Sequence, residues 1–261
     1  MQESKSNLPQ IYNPGNQTKE EIIRNFVVRN EEFQQIFNIL KTDRMESLPQ
    51  HFLIQGQRGY GKTTLLLRLF HEVNGDEEVK KWLIPIIFDE EQYNIRTLYK
   101  LWENIAAQLE EDYEDEFYGI LDEMETAKKK DNYETKCYDI LEKYLKAKKK
   151  KIVIFLDNVG DLIRKLSPDE VTRFTHVLSR GLDIRFICGS AEMLEANEDL
   201  KNFLVYFEVV QLKGLSSQEA NYLLLKLGEN YKSNVIKRLI ETEPERIETL
   251  RRLTGGVPRT I

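Results

Sequence analysis

The chain has 261 residues, 41% of them hydrophobic, with 38 basic and 44 acidic side chains and a formal net charge of −6. That size allows one large core with room for a small satellite domain, and the acidic balance excludes a global basic field drawing the protein to nucleic acid or an anionic membrane. Two cysteines, Cys137 and Cys188, are too few for a disulfide framework, and both fall in elements that read as buried, which fits a reducing, cytoplasmic setting.

Residues 1–20, rich in Asn, Gln, Ser and Pro around a Pro14-Gly15 turn, read as an irregular lead-in. A helix over Glu31–Leu40 follows, its core-facing stripe formed by Phe33, Ile36, Phe37 and Leu40 and its candidate cap by Asn30. His51-Phe52-Leu53-Ile54 predicts a strand and Leu65-Leu66-Leu67-Arg68-Leu69-Phe70 a helix, with a glycine-rich loop between them. The nearly continuous apolar run Trp82–Phe88 is a buried parallel strand, with Pro85 marking an irregularity or an edge position.

From Ile95 to about Leu145 the pattern is helical, with one stripe of Leu98, Leu101, Trp102, Ile105 and Leu109 and another of Phe117, Ile120, Leu121 and Met124. The acidic run 110–116 between them reads as a solvated helix face or loop, a partner surface being the alternative. The lysine-rich run 146–151 places cations at a helix C-terminus, where the dipole favours them, with nucleic-acid contact as its alternative. Ile152–Leu156 and Ile184–Cys188 are two more buried strands, and Phe203–Val210 is a further apolar run. Strands alternating with helices predict right-handed βαβ units and a parallel sheet, with the ligand site at the strands' carboxyl ends. After Gly214 only helices are expected, beginning with a capping box of Ser216 and Glu219, so 214–261 reads as a small helical domain after a core over 21–213.

The loop Gly56-Gln57-Arg58-Gly59-Tyr60-Gly61-Lys62-Thr63-Thr64 is a P-loop between its proper strand and helix. Its glycines turn successive N–H groups toward an anion, and the helix adds the positive end of its dipole. Lys62 is expected to reach the β- and γ-phosphates, and Thr63 to hold Mg²⁺ through its hydroxyl. Asp157, closing the run Ile152–Leu156, is the expected second Mg²⁺ acid beside the P-loop strand.

The next residue is Asn158, and an amide cannot accept a proton from an attacking water. Glu90 and Glu91, in Asp89-Glu90-Glu91 after the strand Ile84–Phe88, are therefore the substitute candidates for a base, a solvated loop being their other reading. Asp161 is a weaker candidate, on the turn that follows. Ser190 closes the next strand and is placed to bond the γ-phosphate or its water. Arg259, in Gly255-Gly256-Val257-Pro258-Arg259, would reach a phosphate from the helical region, Pro258 suiting the first turn of a new helix.

Taken together, these residues resemble the AAA+ ATPases and the related STAND signal-transduction ATPases, nearest to the origin-recognition, helicase-loader and prokaryotic STAND-like branch. The resemblance covers nearly the whole chain and implies an α/β P-loop NTPase fold, a parallel sheet flanked by helices with a small, incomplete C-terminal helical lid. It implies that Phe26–Phe33 is the box that packs against adenine, through Val28 and Arg29, with Val28 standing where the family has glycine. Ser190 falls at sensor 1 and Arg259 at sensor 2. The acid pair Asp157-Asn158 is a variant familiar in STAND proteins. Residues 191–213 contain no arginine to serve as the finger of an AAA+ ring, and Lys201 lacks the planar fork of one. The stop at Ile261, where the family's lid continues, reads as a domain cut from a longer protein.

These features imply ATP and Mg²⁺ as ligands and a slow ATPase acting as a switch, with a protein partner or self-association governed by ATP or ADP. A DNA-associated ATPase resembling the loaders is the alternative, and a scaffold that binds nucleotide for folding is a third. Neither a kinase nor a transporter is indicated, since no substrate module or ABC signature is visible. The histidines His51, His71 and His176 lack metal-ligand spacing, the N-terminus has no apolar leader, and no stretch nears the roughly 18 apolar residues of a membrane span.

Overall fold

A computed structural model describes residues 14–88, 95–128, 132–191, 200–230, 232 and 234–261. Its centre is a five-stranded sheet of β1 (His51–Gln55), β2 (Leu83–Phe88), β3 (Lys151–Leu156), β4 (Ile184–Ser190) and β5 (Phe207–Gln211), in the order β2-β3-β4-β1-β5. Every pairing is parallel. β1 to β4 are buried almost throughout and read as largely apolar runs because both faces are covered, whereas edge strand β5 exposes Val209 and Gln211. Alternation along each strand sends Phe52, Ile54, Val153, Phe155 and Ile187 to one face, and Leu53, Ile152, Ile154, Phe186 and Cys188 to the other.

The first face is covered by α2 (Asn30–Thr42) and α3 (Lys62–Gly75), whose Phe33, Ile36, Leu40, Leu65, Leu66 and Leu69 form the core there. Opposite them lie α4 (Leu98–Asp112), α6 (Ile120–Ala127), α7 (Tyr133–Lys148), α8 (Val159–Lys165) and α9 (Pro168–Arg180), centred on Trp102, Phe174 and Leu141. Short α1 (Lys19–Asn25), α5 (Glu114–Phe117) and α10 (Lys201–Leu204) complete the core, and α11 (Ser217–Asn230), α12 (Asn234–Thr242) and α13 (Pro244–Leu253) follow β5.

Pro85 lies in β2, an edge strand, where its missing N–H costs no ladder bond on the open side. The run Phe203–Val210 splits: Phe203 and Leu204 end α10 and only Phe207 onward is strand, since an apolar run of that length suits either geometry. Asn30 does not cap α2. Arg29 takes the N-cap position in the left-handed conformation, and the Asn30 amide instead donates to the Val27 carbonyl at 3.2 Å. The capping box at Ser216 forms as expected, with Ser216 N–H on the Glu219 carboxylate at 2.7 Å and Glu219 N–H on Ser216 Oγ at 3.3 Å. In the acidic run, Glu110 does more than face solvent, since its carboxylate accepts the N–H groups of Gly119 and Leu121 at the start of α6, at 2.6 and 3.3 Å. No described helix is long and apolar enough to cross a membrane.

Candidate functional site

β1 ends at Gln55 and α3 begins at Lys62, so the P-loop spans the carboxyl edge of the sheet. Gly59 and Gly61 have φ of +89° and +93°, a region that favours glycine, and they turn the loop around its centre. The N–H of Gly56 donates to the Ser190 carbonyl at 3.2 Å and ties the loop's start to the end of β4. Gln57 and Arg58 are exposed, Tyr60 packs against the α2–α3 core, and Thr63 and Thr64 lie half-buried in the first turn of α3. Lys62 is buried, with Nζ donating to the carbonyls of Gly56 and Gln57 at 2.7 and 3.1 Å. Its ammonium thus bends back across the mouth of its own loop, where a phosphate would compete with these carbonyls for it.

Asp157 is buried at the end of β3, and its carboxylate accepts the hydroxyl hydrogen of Thr63. β3 is not beside β1, as the sequence suggested; β4 lies between them. The carboxylate crosses the intervening strand at Gly189, where a Cβ would stand 2.8 Å from Asp157 Oδ1. Hydroxyl and carboxylate oxygens brought together in this way are the hard donors that suit Mg²⁺. Bound there, the ion would draw charge from the phosphoryl oxygens. Among the described residues no cluster of three or more His, Cys, Asp or Glu offers a different metal site.

Ser190 is fully buried at the tip of β4, in register with Gln55 of β1. Asn158 has φ +56° and occupies the N-cap position of α8, a conformation asparagine adopts more readily than glutamate. Asp161 lies in the first turn of α8, paired with Arg164. Glu90 and Glu91 lie outside the described residues; the strand they follow, β2, is separated from β1 by β3 and β4, about 14 Å at ordinary strand spacing.

Arg259 is exposed beside the P-loop, its own N–H on the Gly59 carbonyl at 3.4 Å. Val257 sits so close that a Cβ on Gly59 would be 2.7 Å from its Cγ1. Pro258 does not begin a helix. Gly255 and Gly256, with φ of +64° and +70°, end α13, and 257–261 continues as turns closed by Thr260 and Ile261 N–H on the Val257 carbonyl, at 3.0 and 3.2 Å. Val27 and Val28 pack on Leu215, Ala220 and Leu223, so the N-terminal box lies against the C-terminal helices. The left-handed residue of that box is Arg29 (φ +71°), and its guanidinium donates to the Lys213 carbonyl.

The P-loop, Asp157, Asn158, Ser190 and Arg259 thus lie around one end of the sheet, reached from four separate segments. The parts that sequence reading missed are Gly189 and Val257. A glycine at the end of an apolar strand was a visible signal for the first; nothing local marked the second.

The AAA ATPase domain pattern matches residues 25–187, which include the P-loop and the Asp157 strand. The chain belongs to the AAA ATPase family. No curated protein sequence matches it. Among solved structures, this AAA domain resembles Cdc6p from Pyrobaculum aerophilum, with a TM-score of 0.55 at 16% identity over 84% of this chain and 53% of that one. It also resembles the Aeropyrum pernix ORC1 protein solved in complex with DNA, with a TM-score of 0.53 at 16% identity over 87% and 59%. A third likeness is to the Aeropyrum pernix ORC2 protein in ADPNP-ADP complexes, with a TM-score of 0.54 at 16% identity over 77% and 52%. At such identity these likenesses establish the shared α/β P-loop fold, and the AAA chain spans between half and three fifths of each relative's length.

Proposed function

We propose that this AAA domain is a nucleotide-controlled switch: it binds ATP with Mg²⁺, hydrolyses it slowly, and its C-terminal helices act as a lid whose position follows the nucleotide. The observation that carries the reading is the docking of the Val257–Arg259 turn on Gly59, which joins the last residues of the lid to the loop expected to hold the phosphates. Lys62 serves as the phosphate cation, Thr63 and Asp157 as metal ligands, Ser190 as a γ-phosphate or water donor and Arg259 as the cation brought by the lid. Val28 forms part of the wall against the base. The amide of Asn158 has no basic lone pair to take a proton from water, which favours slow turnover. ATP and ADP then differ in how firmly they hold the lid, and a protein partner or a second copy reads that difference.

The test is equilibrium binding of ATP and ADP to wild type and Arg259→Ala. A switch requires wild type to prefer ATP and the variant to lose about tenfold of that preference, the equivalent of about 1.4 kcal/mol. Equal ATP preference in both proteins contradicts the reading. A second reading, a DNA-associated ATPase, is favoured by the likeness to a protein solved in complex with DNA. Duplex binding that weakens steeply with salt supports it, and its absence at low salt removes it.

A further inference from the structure

Arg29 is a buried arginine at the N-cap position of α2. Its backbone is left-handed, its side chain makes no cap bond to α2, and it is only 7% exposed. Its Nη2 donates to the Lys213 carbonyl, its Nη1 lies 3.5 Å from Glu32, and its Nε has no partner. Burying a guanidinium with so few acceptors is unfavourable, and at this left-handed backbone glycine or asparagine would be the less costly residue. The side chain is therefore placed for what it holds.

It holds the residue that precedes the crossing between the lid's entry and exit. At Gly214 a Cβ would meet the Gly255 carbonyl oxygen at 2.1 Å, and at Gly256 it would meet Leu215 O at 2.6 Å, so the two backbones touch without side chains between them. Leu215 N–H donates to the Gly256 carbonyl at 2.7 Å, and Arg251 Nη1 to the Leu215 carbonyl at 3.2 Å. Entry and exit of the lid are thereby one body. One residue beyond Gly256, the chain reaches the turn that rests on Gly59.

We infer that Arg29 is a positioning residue: it anchors the N-terminal box to the lid's base, so that occupation of the base site and the grip of Arg259 on the phosphates are one event. This rests on the proposed switch and adds to it the route by which box and P-loop are coupled. Lys213, the glycine crossing and the 257–259 turn form that route, which has direct contacts at each step. The guanidinium is thus committed to the hinge rather than to the base.

The experiment is a double-mutant cycle on the full chain, with binding of a fluorescent ATP analogue measured for wild type, Arg29→Ala, Arg259→Ala and the pair. The expected result is that Arg259→Ala weakens binding about tenfold in wild type and less than twofold when Arg29 is already alanine. Equal losses in both backgrounds overturn the inference while leaving the switch reading intact; failure of wild type to bind at all overturns both. Hydrogen exchange on wild type covers the case in which Arg29→Ala does not fold. Amides of 27–29, 213–215 and 255–259 gaining protection together on ATP addition support the coupling, and protection confined to 255–259 overturns it.

Discussion

Asp157 reaches Thr63 across a strand because Gly189 has no side chain: a Cβ there would lie 2.8 Å from Asp157 Oδ1 and 3.3 Å from Leu66 Cδ1. Gly189→Ala should therefore push the carboxylate off the Thr63 hydroxyl while leaving the sheet paired. The expected outcome is a roughly tenfold rise in the Mg²⁺ concentration needed for half-maximal ATP binding, with a stability loss of about 1–2 kcal/mol. Mg²⁺ titration alongside thermal unfolding checks it, and an unchanged Mg²⁺ requirement would show that Asp157 does not need the gap.

Asn158 carries a second, separable prediction. At φ +56° glycine is at ease, asparagine tolerable and glutamate strained. Asn158→Gly is expected to leave stability within about 0.5 kcal/mol, and Asn158→Glu to lower it by about 1 kcal/mol. Denaturant unfolding of the two variants tests this, and it must be done before any change in hydrolysis by Asn158→Glu is attributed to a new base.

How far the sequence disclosed this molecule follows from the range of the interactions involved. Strands covered on both faces leave unbroken apolar runs, so β1 to β4 were visible, and Pro85 pointed to the edge that β2 occupies. The P-loop was visible because its residues are contiguous. Gly189 showed only as a glycine ending an apolar strand; its task depends on β4 lying between β1 and β3, a strand order that no local pattern encodes. Arg29 was placed in the box by resemblance, yet its contact with Lys213 joins residues far apart in the chain and could not be read from spacing. Asn30 failed as a cap for a local reason, because the left-handed turn at Arg29 starts the helix one residue early.

At the opposite end of the sheet, His51 is held neutral. Its Nδ1 accepts the Phe186 N–H at 3.0 Å, so Nε2 carries the proton and faces the Leu178 carbonyl at 3.3 Å. Burial, with a smaller contribution from the nearby Arg185 charge, lowers its pKa from 6.5 to about 4. Because the unfolded chain takes up the proton first, the stabilising contribution is complete above pH 6.5 and is lost progressively as pH falls toward 4. A displacement of that size corresponds to about 3 kcal/mol. Unfolding free energies measured from pH 7 to pH 4 should fall more steeply for wild type than for His51→Gln; parallel curves would contradict this.

Arg185 is fully buried on β4, bonded to the Asp43 carboxylate, with Nε and Nη1 unpaired among the described residues. Removing one partner strands a charge, whereas removing the arginine removes the need for the pair. Asp43→Ala is expected to destabilise by about 3–5 kcal/mol, Arg185→Met to be close to neutral, and the double variant to resemble Arg185→Met. Chemical unfolding of the three proteins decides it; equal losses from both single changes would mean the pair is net stabilising.

Single-turnover hydrolysis tests the proposed switch most directly: protein in excess over radiolabelled ATP with Mg²⁺, quenched over a time course, with Lys62→Ala as the non-binding control. A switch without a base at Asn158 should hold ATP intact for minutes, and Arg259→Ala should release it before it is cleaved. Cleavage of bound ATP many times faster than one per minute, insensitive to Arg259→Ala, would contradict the switch and mark the domain as a working ATPase.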